Sequence, residues 1–161
     1  MGAEDISQLM LASRAVTAAV VRALESVDRT VSVPQMRVLV LLWTGEPLNL
    51  SAVAEATGVN RSNASRTCDR LVTTGLIERT EDAVDRRHVS LALTPKGRDL
   101  VERLMDRREQ ELSAIVARMS RADRAGLMEA LGPFNQAALA DLWPTNAQVG
   151  PRDPRLLEWG I

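Results

Sequence analysis

The chain has 161 residues, 45% of them apolar and 25% charged, with a formal net charge of −1 and a pI of about 5.9. This is the composition of a folded soluble protein, long enough for one domain with a real core or a core plus an assembly arm. No apolar run approaches the ~20 residues of a bilayer span, the N-terminus MGAEDISQLM is acidic, and the single Cys68 rules out an internal disulfide, so a cytoplasmic chain without signal peptide or membrane contact is expected.

Residues 5–28 read as a helix with Ile6, Leu9, Ser13, Val16, Val20 and Val27 along one seam. A second helix opens at SVPQMRVLVLLW, with Pro34 in the first turn where its missing N–H costs nothing, and Gly45 and Pro47 close it. NLSAVAEATG is a short helix with Asn49 as N-cap and Gly58 as its stop. After VN, a further helix runs from about Arg61 to Thr74, ended by Gly75.

LIERT and HVSLAL are strands, the second alternating Val89, Leu91 and Leu93 against His88, Ser90 and Ala92. The polar loop between them is long for a simple hairpin, which marks it as a working loop. Thr94 caps a long helix with Pro95 in its first turn and an apolar seam of Leu100, Leu104, Leu112, Ile115 and Met119. Ser120 starts a last helix carried by Leu127, Leu131, Phe134 and Leu142, which Gly132-Pro133 is expected to kink or break. From Pro144 onward the chain reads as an extended tail in which Leu156, Leu157 and Trp159 are the docking candidates.

The fold expected is therefore mainly α with a small β-hairpin. Its charge is unevenly spread: residues 51–98 carry eight basic side chains against six acids, whereas residues 1–50 carry four against five and residues 99–161 eight against ten. Nineteen of the twenty basic side chains are arginine, which fits codon bias as readily as phosphate binding.

Two short helices joined by a tight glycine turn form a helix-turn-helix, with Ala54 allowing close approach, Gly58 making the turn and Val59 plugging it. In such units the second helix enters the DNA major groove with its N-terminal residues against base edges. Here those residues are NRSNASR: Arg61, Ser62, Asn63, Ser65 and Arg66 all form hydrogen bonds, and Arg70 extends the same helix. Arginine grips guanine and asparagine grips adenine through paired bonds. Ala64, Cys68, Leu71 and Val72 form the inward side. The plain alternative is a solvated helix start capped by Asn60.

A hairpin directly after a reading helix makes a wing, whose tip reaches the narrow, electronegative minor groove. The tip carries Asp85, Arg86, Arg87 and His88. An exposed Asp85–Arg87 pair costs binding little and aims the guanidinium. The plain alternative is a charged tip kept polar for solubility.

DRRHVSLALTPKG, with Asp85, Arg87, Leu93, Thr94 and Gly97, resembles the wing signature of the MarR (multiple antibiotic resistance regulator) family. PQMRVLVLL and LSAVAEATGVNRSNASRTCDRLVTTGLIER precede it in the family's order, so the resemblance covers roughly residues 5–142. It implies a winged helix-turn-helix DNA-binding lobe (residues 34–94) and a helical dimerisation region (1–33 and 95–143), while the C-terminal tail (144–161) has no counterpart in the family. It also implies a homodimer on a pseudo-palindromic double-stranded operator, usually a repressor, released by a small lipophilic or phenolic effector. Apolar seams on the terminal helices and the small surface of one reading helix argue for a dimer independently.

Other residues carry sharper and plainer readings side by side. Cys68, on the inward face of its helix, is a small hydrophobe or a redox sensor. His88 has no second histidine with which to build a metal site. Met10, Met36, Met105 and Met119 fill a core, while Met36, Val40 and Trp43 are also candidates to line a ligand cavity. No catalytic constellation can be built around His88 and no phosphate-cradling glycine loop is present, so no enzyme, cofactor or metal is expected. The rival function is a winged helix used for protein contact or scaffolding without base reading.

Overall fold

A computed structural model describes residues 3–43, 47–81 and 89–142. Helix α1 (Ala3–Val27) passes through a short turn into α2 (Val33–Trp43). Asp28 makes that turn, its carboxylate accepting from the Thr30 N–H at 2.7 Å and the Thr30 hydroxyl at 2.6 Å. These bonds, the hydroxyl's foremost, hold the carboxyl below the usual aspartate range. Ser32 and Gln35 then cap α2 reciprocally, with the Ser32 N–H donating to Gln35 Oε1 at 2.8 Å.

Helix α2 is apolar almost all round, which suits only a central position. Met36, Val38, Leu39, Val40 and Leu42 are all buried. Around it fold β1 (Leu48–Asn49), α3 (Leu50–Thr57), α4 (Arg61–Thr73), β2 (Ile77–Glu81) and β3 (Val89–Leu93). Local capping defines both short helices as expected: Asn49 accepts from the Ala52 N–H and Asn60 from the Asn63 N–H, each at 2.9 Å. Gly58, at φ 67°, stops α3 in the left-handed conformation that a side chain would resist.

The sheet has three strands rather than a bare hairpin. Its order is β1-β3-β2, antiparallel throughout, with Leu48 opposite Leu91 and Ile77 opposite Leu93. Two residues of β1 show no alternation, so only pairing with the distant β3 reveals them as a strand. The alternation expected in β3 is present, with Leu91 and Leu93 buried beside Ile77 and Leu76. Val59 departs from expectation. It is 38% exposed and does not plug the turn: its side chain lies along an open cleft, and the turn is closed instead by its backbone N–H donating to the Ala54 carbonyl at 3.1 Å.

Helix α5 (Pro95–Val116) is fastened to the end of α4 by the TPKG segment. The Thr94 hydroxyl donates to the Gly75 carbonyl at 2.7 Å and accepts from the Gly97 N–H at 3.1 Å, and Lys96 Nζ donates to the Thr74 carbonyl at 2.9 Å. Gly97 is required by close approach: a Cβ there would stand 1.9 Å from the Leu76 carbonyl oxygen. Leu100, Val101 and Leu104 of α5 complete the core.

Helix α1 packs on α5, and Leu24 and Val27 at its C-terminal end reach the core. Ala19 and Ala23 are fully buried, whereas Ile6, Leu9 and Val16 are 42%, 45% and 42% exposed. Alanines let the two backbones approach, and Glu111 of α5 ties them further by accepting from Arg22 at 3.0 Å, while Arg107, one turn back on α5, pairs with the same carboxylate at 2.9 Å. Helix α6 (Arg121–Leu142) runs through Pro133, so of the kink or break expected there the break does not occur. A proline removes one backbone bond, and the turns on either side, rich in alanine and leucine, carry the helix across. None of its described side chains is buried; Leu127 and Leu131 are half-buried and Phe134 is exposed.

Candidate nucleic-acid interface

Helix α4 has one buried and one polar side. Ala64, Cys68 and Leu71 recur at intervals of four and three and are at most 1% exposed. Burial pushes the Cys68 thiol up, with Asp69 adding to the rise and the Arg79 guanidinium opposing it, so the thiol stays protonated and serves as core. On the other side Arg61, Ser62, Asn63, Arg66 and Arg70 are exposed and Ser65 is half-buried. Because Asn60 already satisfies the Asn63 N–H, those side chains are not consumed in finishing the helix end. Arg66 Nη2 donates to Ser62 Oγ at 3.2 Å, one turn back along the same face.

These six residues do not form one surface. Arg61 and Ser65 line a cleft of about 430 Å³ with Asn49, Ser51 and Arg79, beneath the sheet. Asn63, Arg66 and Arg70 line the opposite flank, a cleft of about 310 Å³ that also takes in Arg37. The helix therefore presents hydrogen-bonding groups along two sides as well as its tip, which is what a groove with two walls requires.

Two contributing residues escaped the sequence reading. Arg79 follows Ile77 by two positions on β2, so it falls on the strand's inward side, where an apolar residue is the usual occupant. It is held there by an ion pair with Asp69 of α4, which links wing strand to reading helix. A charge at an inward register position was the available signal. Arg37 gave none, since it lies within the apolar helix α2 and only folding brings it beside α4.

The strands of the wing are paired out to Glu81 opposite Val89. Asp85, Arg86, Arg87 and His88 lie between them, outside the described residues, as do the tail residues 144–161. Of the residues considered for a ligand cavity, Met36 and Val40 are 2% and 6% exposed and belong to the core. Trp43 instead lines a cleft of about 990 Å³ between α5 and α6, with Met105, Leu112, Val116, Met128 and Leu131 as apolar walls and Arg108 and Arg124 among its charges. Among the described residues, no helix is long and apolar enough to cross a membrane.

Helices α2, α3 and α4 on a small antiparallel sheet, with a hairpin directly after the polar-faced helix, define a winged helix-turn-helix. The chain belongs to the MarR family of transcriptional regulators, whose family model matches residues 31–89. It is 30% identical over 106 residues to the HTH-type transcriptional regulator YfiV of Bacillus subtilis, a match spanning 66% of each chain. The crystal structure of RV1404 from Mycobacterium tuberculosis superposes with a TM-score of 0.78 at 37% identity, over 85% of this chain and 94% of that one. A Staphylococcus aureus MepR mutant bound to an oligodeoxyribonucleotide shares the fold, with a TM-score of 0.65 at 20% identity over 86% of this chain and 99% of that one.

Proposed function

We infer that the protein is a homodimeric repressor that binds a pseudo-palindromic duplex operator, with α4 of each protomer in a major groove and each wing tip in the flanking minor groove. One observation carries this reading: the outward side of α4 offers Arg61, Ser62, Asn63, Arg66 and Arg70 to solvent with no large apolar side chain among them, directly over a buried Ala64–Cys68–Leu71 stripe. A face built for protein contact would place apolar anchors at its centre. Arg86 and Arg87 serve the minor groove, Asp85 aims them, and His88 adds a backbone contact. The MepR–oligodeoxyribonucleotide complex supports DNA as the ligand of such a fold.

The division into a lobe of residues 34–94, a dimerisation region of 1–33 and 95–143, and a tail of 144–161 belongs to the same proposal. Dimerisation is supported by Ile6, Leu9, Met10, Leu11, Val16 and Val21, all more than 40% exposed on α1, and by Met128 and Phe134 on α6. Release by a lipophilic effector is supported by the Trp43 cleft, whose apolar walls adjoin Arg108 and Arg124 together with the acids Glu102, Asp106 and Glu109; a phenolic effector would use the same arginines.

Selection of bound duplexes from a random pool tests the reading. An enriched inverted repeat, with half-sites about one helical turn apart, is the expected result; a pool that stays random overturns base reading and leaves the protein-contact module. Light scattering on the same preparation should give twice the 17.6 kDa chain mass.

A further inference from the structure

Arg37 shares a cleft with Arg66 and Arg70 although it stands on a different helix. The cleft lies between the first turns of α2, the α3–α4 turn and one flank of α4, with Pro34, Val38, Val59 and Thr67 as its largely apolar walls. Among the described residues, no acidic side chain lines it. The acid of α4, Asp69, is paired with Arg79 and bonded by Ser65, both of which line the opposite cleft. Arg66 and Arg70 are four apart on one helix face, where like charges repel, and Arg37 brings a third positive charge to the same space. Three guanidiniums around one concavity without a carboxylate match a ligand that is itself anionic and has several acceptor oxygens.

We propose that Arg37 and Arg70 together grip a backbone phosphodiester of the operator on the wall of the groove that α4 enters, leaving Arg66, one turn nearer the helix tip, for the base edges. This rests on the operator-binding reading above and adds to it a phosphate clamp with one arm, Arg37, outside the two short helices that form the reading unit. Apolar walls beside the guanidiniums suit the deoxyribose flanking that phosphate. Contacts to phosphate set where the protein sits on the duplex, whereas contacts to bases select sequence. Arg37 is therefore a positioning residue, and its removal has a signature distinct from that of Arg66.

The test compares the parent, Arg37→Ala, Arg37→Lys and Arg66→Ala on the selected operator and on a scrambled duplex across a salt series. Full loss of one phosphate contact per protomer lowers the log–log salt slope of a dimer by about 1.8 and weakens binding by about 30-fold at 0.15 M salt, the ceiling for a substitution that leaves Arg70 on the same phosphate. Arg37→Ala should do so equally on both duplexes, Arg37→Lys should keep most of the slope, and Arg66→Ala should narrow the gap between the duplexes. Unchanged thermal unfolding of Arg37→Ala shows that the effect is on binding. A parental slope in Arg37→Ala, or a loss confined to the selected operator, overturns the clamp while leaving operator binding intact. Inorganic phosphate at constant ionic strength supplies a second arm. Stabilisation of the parent but not of Arg37→Ala, with equal salt slopes, identifies a free-anion site and also overturns the clamp. A parent that binds no duplex overturns both readings at once.

Discussion

The winged-helix lobe and the terminal helices use similar apolar residues to opposite ends. In the lobe, Met36, Leu39, Leu71, Ile77 and Leu91 are at most 2% exposed, and α5 closes over them with Leu100, Val101 and Leu104. On the N-terminal part of α1, Leu9, Met10 and Leu11 are 45%, 58% and 61% exposed, and α6 buries none of its described side chains. A folded segment that leaves this much apolar surface in water forgoes about 25 cal/mol per Å². The contrast teaches that the lobe closes its core within one chain, while the ends leave apolar surface uncovered, the surface on which the proposed dimer would form. Stability should accordingly depend on the lobe, and assembly on the ends.

Leu71→Ala is expected to break the lobe most severely. It empties a fully buried position under the reading helix and should cost about 2–5 kcal/mol by denaturant unfolding; a cost below 1 kcal/mol would mean that the lobe core is loosely packed. Gly97→Ala comes next. Its Cβ would collide with a backbone carbonyl that cannot swing aside, so a loss near the upper end of the ~1–3 kcal/mol typical of overpacking is expected, together with weaker operator binding as the end of α4 shifts.

Val16→Asp sharpens the other side of the comparison. Val16 is exposed in the protomer, so the helical circular dichroism signal should persist at low concentration. Each substituted protomer should nevertheless lose about 1.5–3 kcal/mol of assembly free energy, read as dissociation by light scattering or sedimentation. A dimer of parental strength would move the interface elsewhere.

The smallest effect concerns Asp28, at the hinge between the two regions. Its folded-state carboxyl titrates below the ordinary aspartate value of 3.8, so its contribution is present above that value and disappears as pH falls through the lower folded one. Replacing it in Asp28→Asn should slightly flatten the loss of stability on acidification, measured as urea midpoints from pH 7 downward. An unchanged acid limb would show that the Thr30 bonds contribute nothing.

The helix boundaries were legible because caps act locally. Asn49, Asn60 and Thr94 each bond an N–H three residues on, a reach that a linear reading covers. The inward stripe of α4 was legible for the same reason, since helical periodicity places Ala64, Cys68 and Leu71 together without knowledge of what they touch. Strand β1 was not legible, because its partner lies some forty residues on, opposite Leu91 and Ser90. The α1 seam was legible as apolar, but which positions the chain itself covers was not: folding buries Ala19 and Ala23 and leaves Ile6, Leu9 and Val16 exposed. At Pro133 a break was one of two expected outcomes and does not occur, the local penalty being carried by the helix around it.

The chain's own order of residues determined its helices, its turns and the chemistry of α4's two sides, since those depend on interactions spanning a few positions. Tertiary structure alone decided which charges meet: Arg79 with Asp69, and Arg37 beside Arg66 and Arg70. Such meetings are set by how whole elements pack around α2, and Coulomb interactions act through space regardless of separation along the chain.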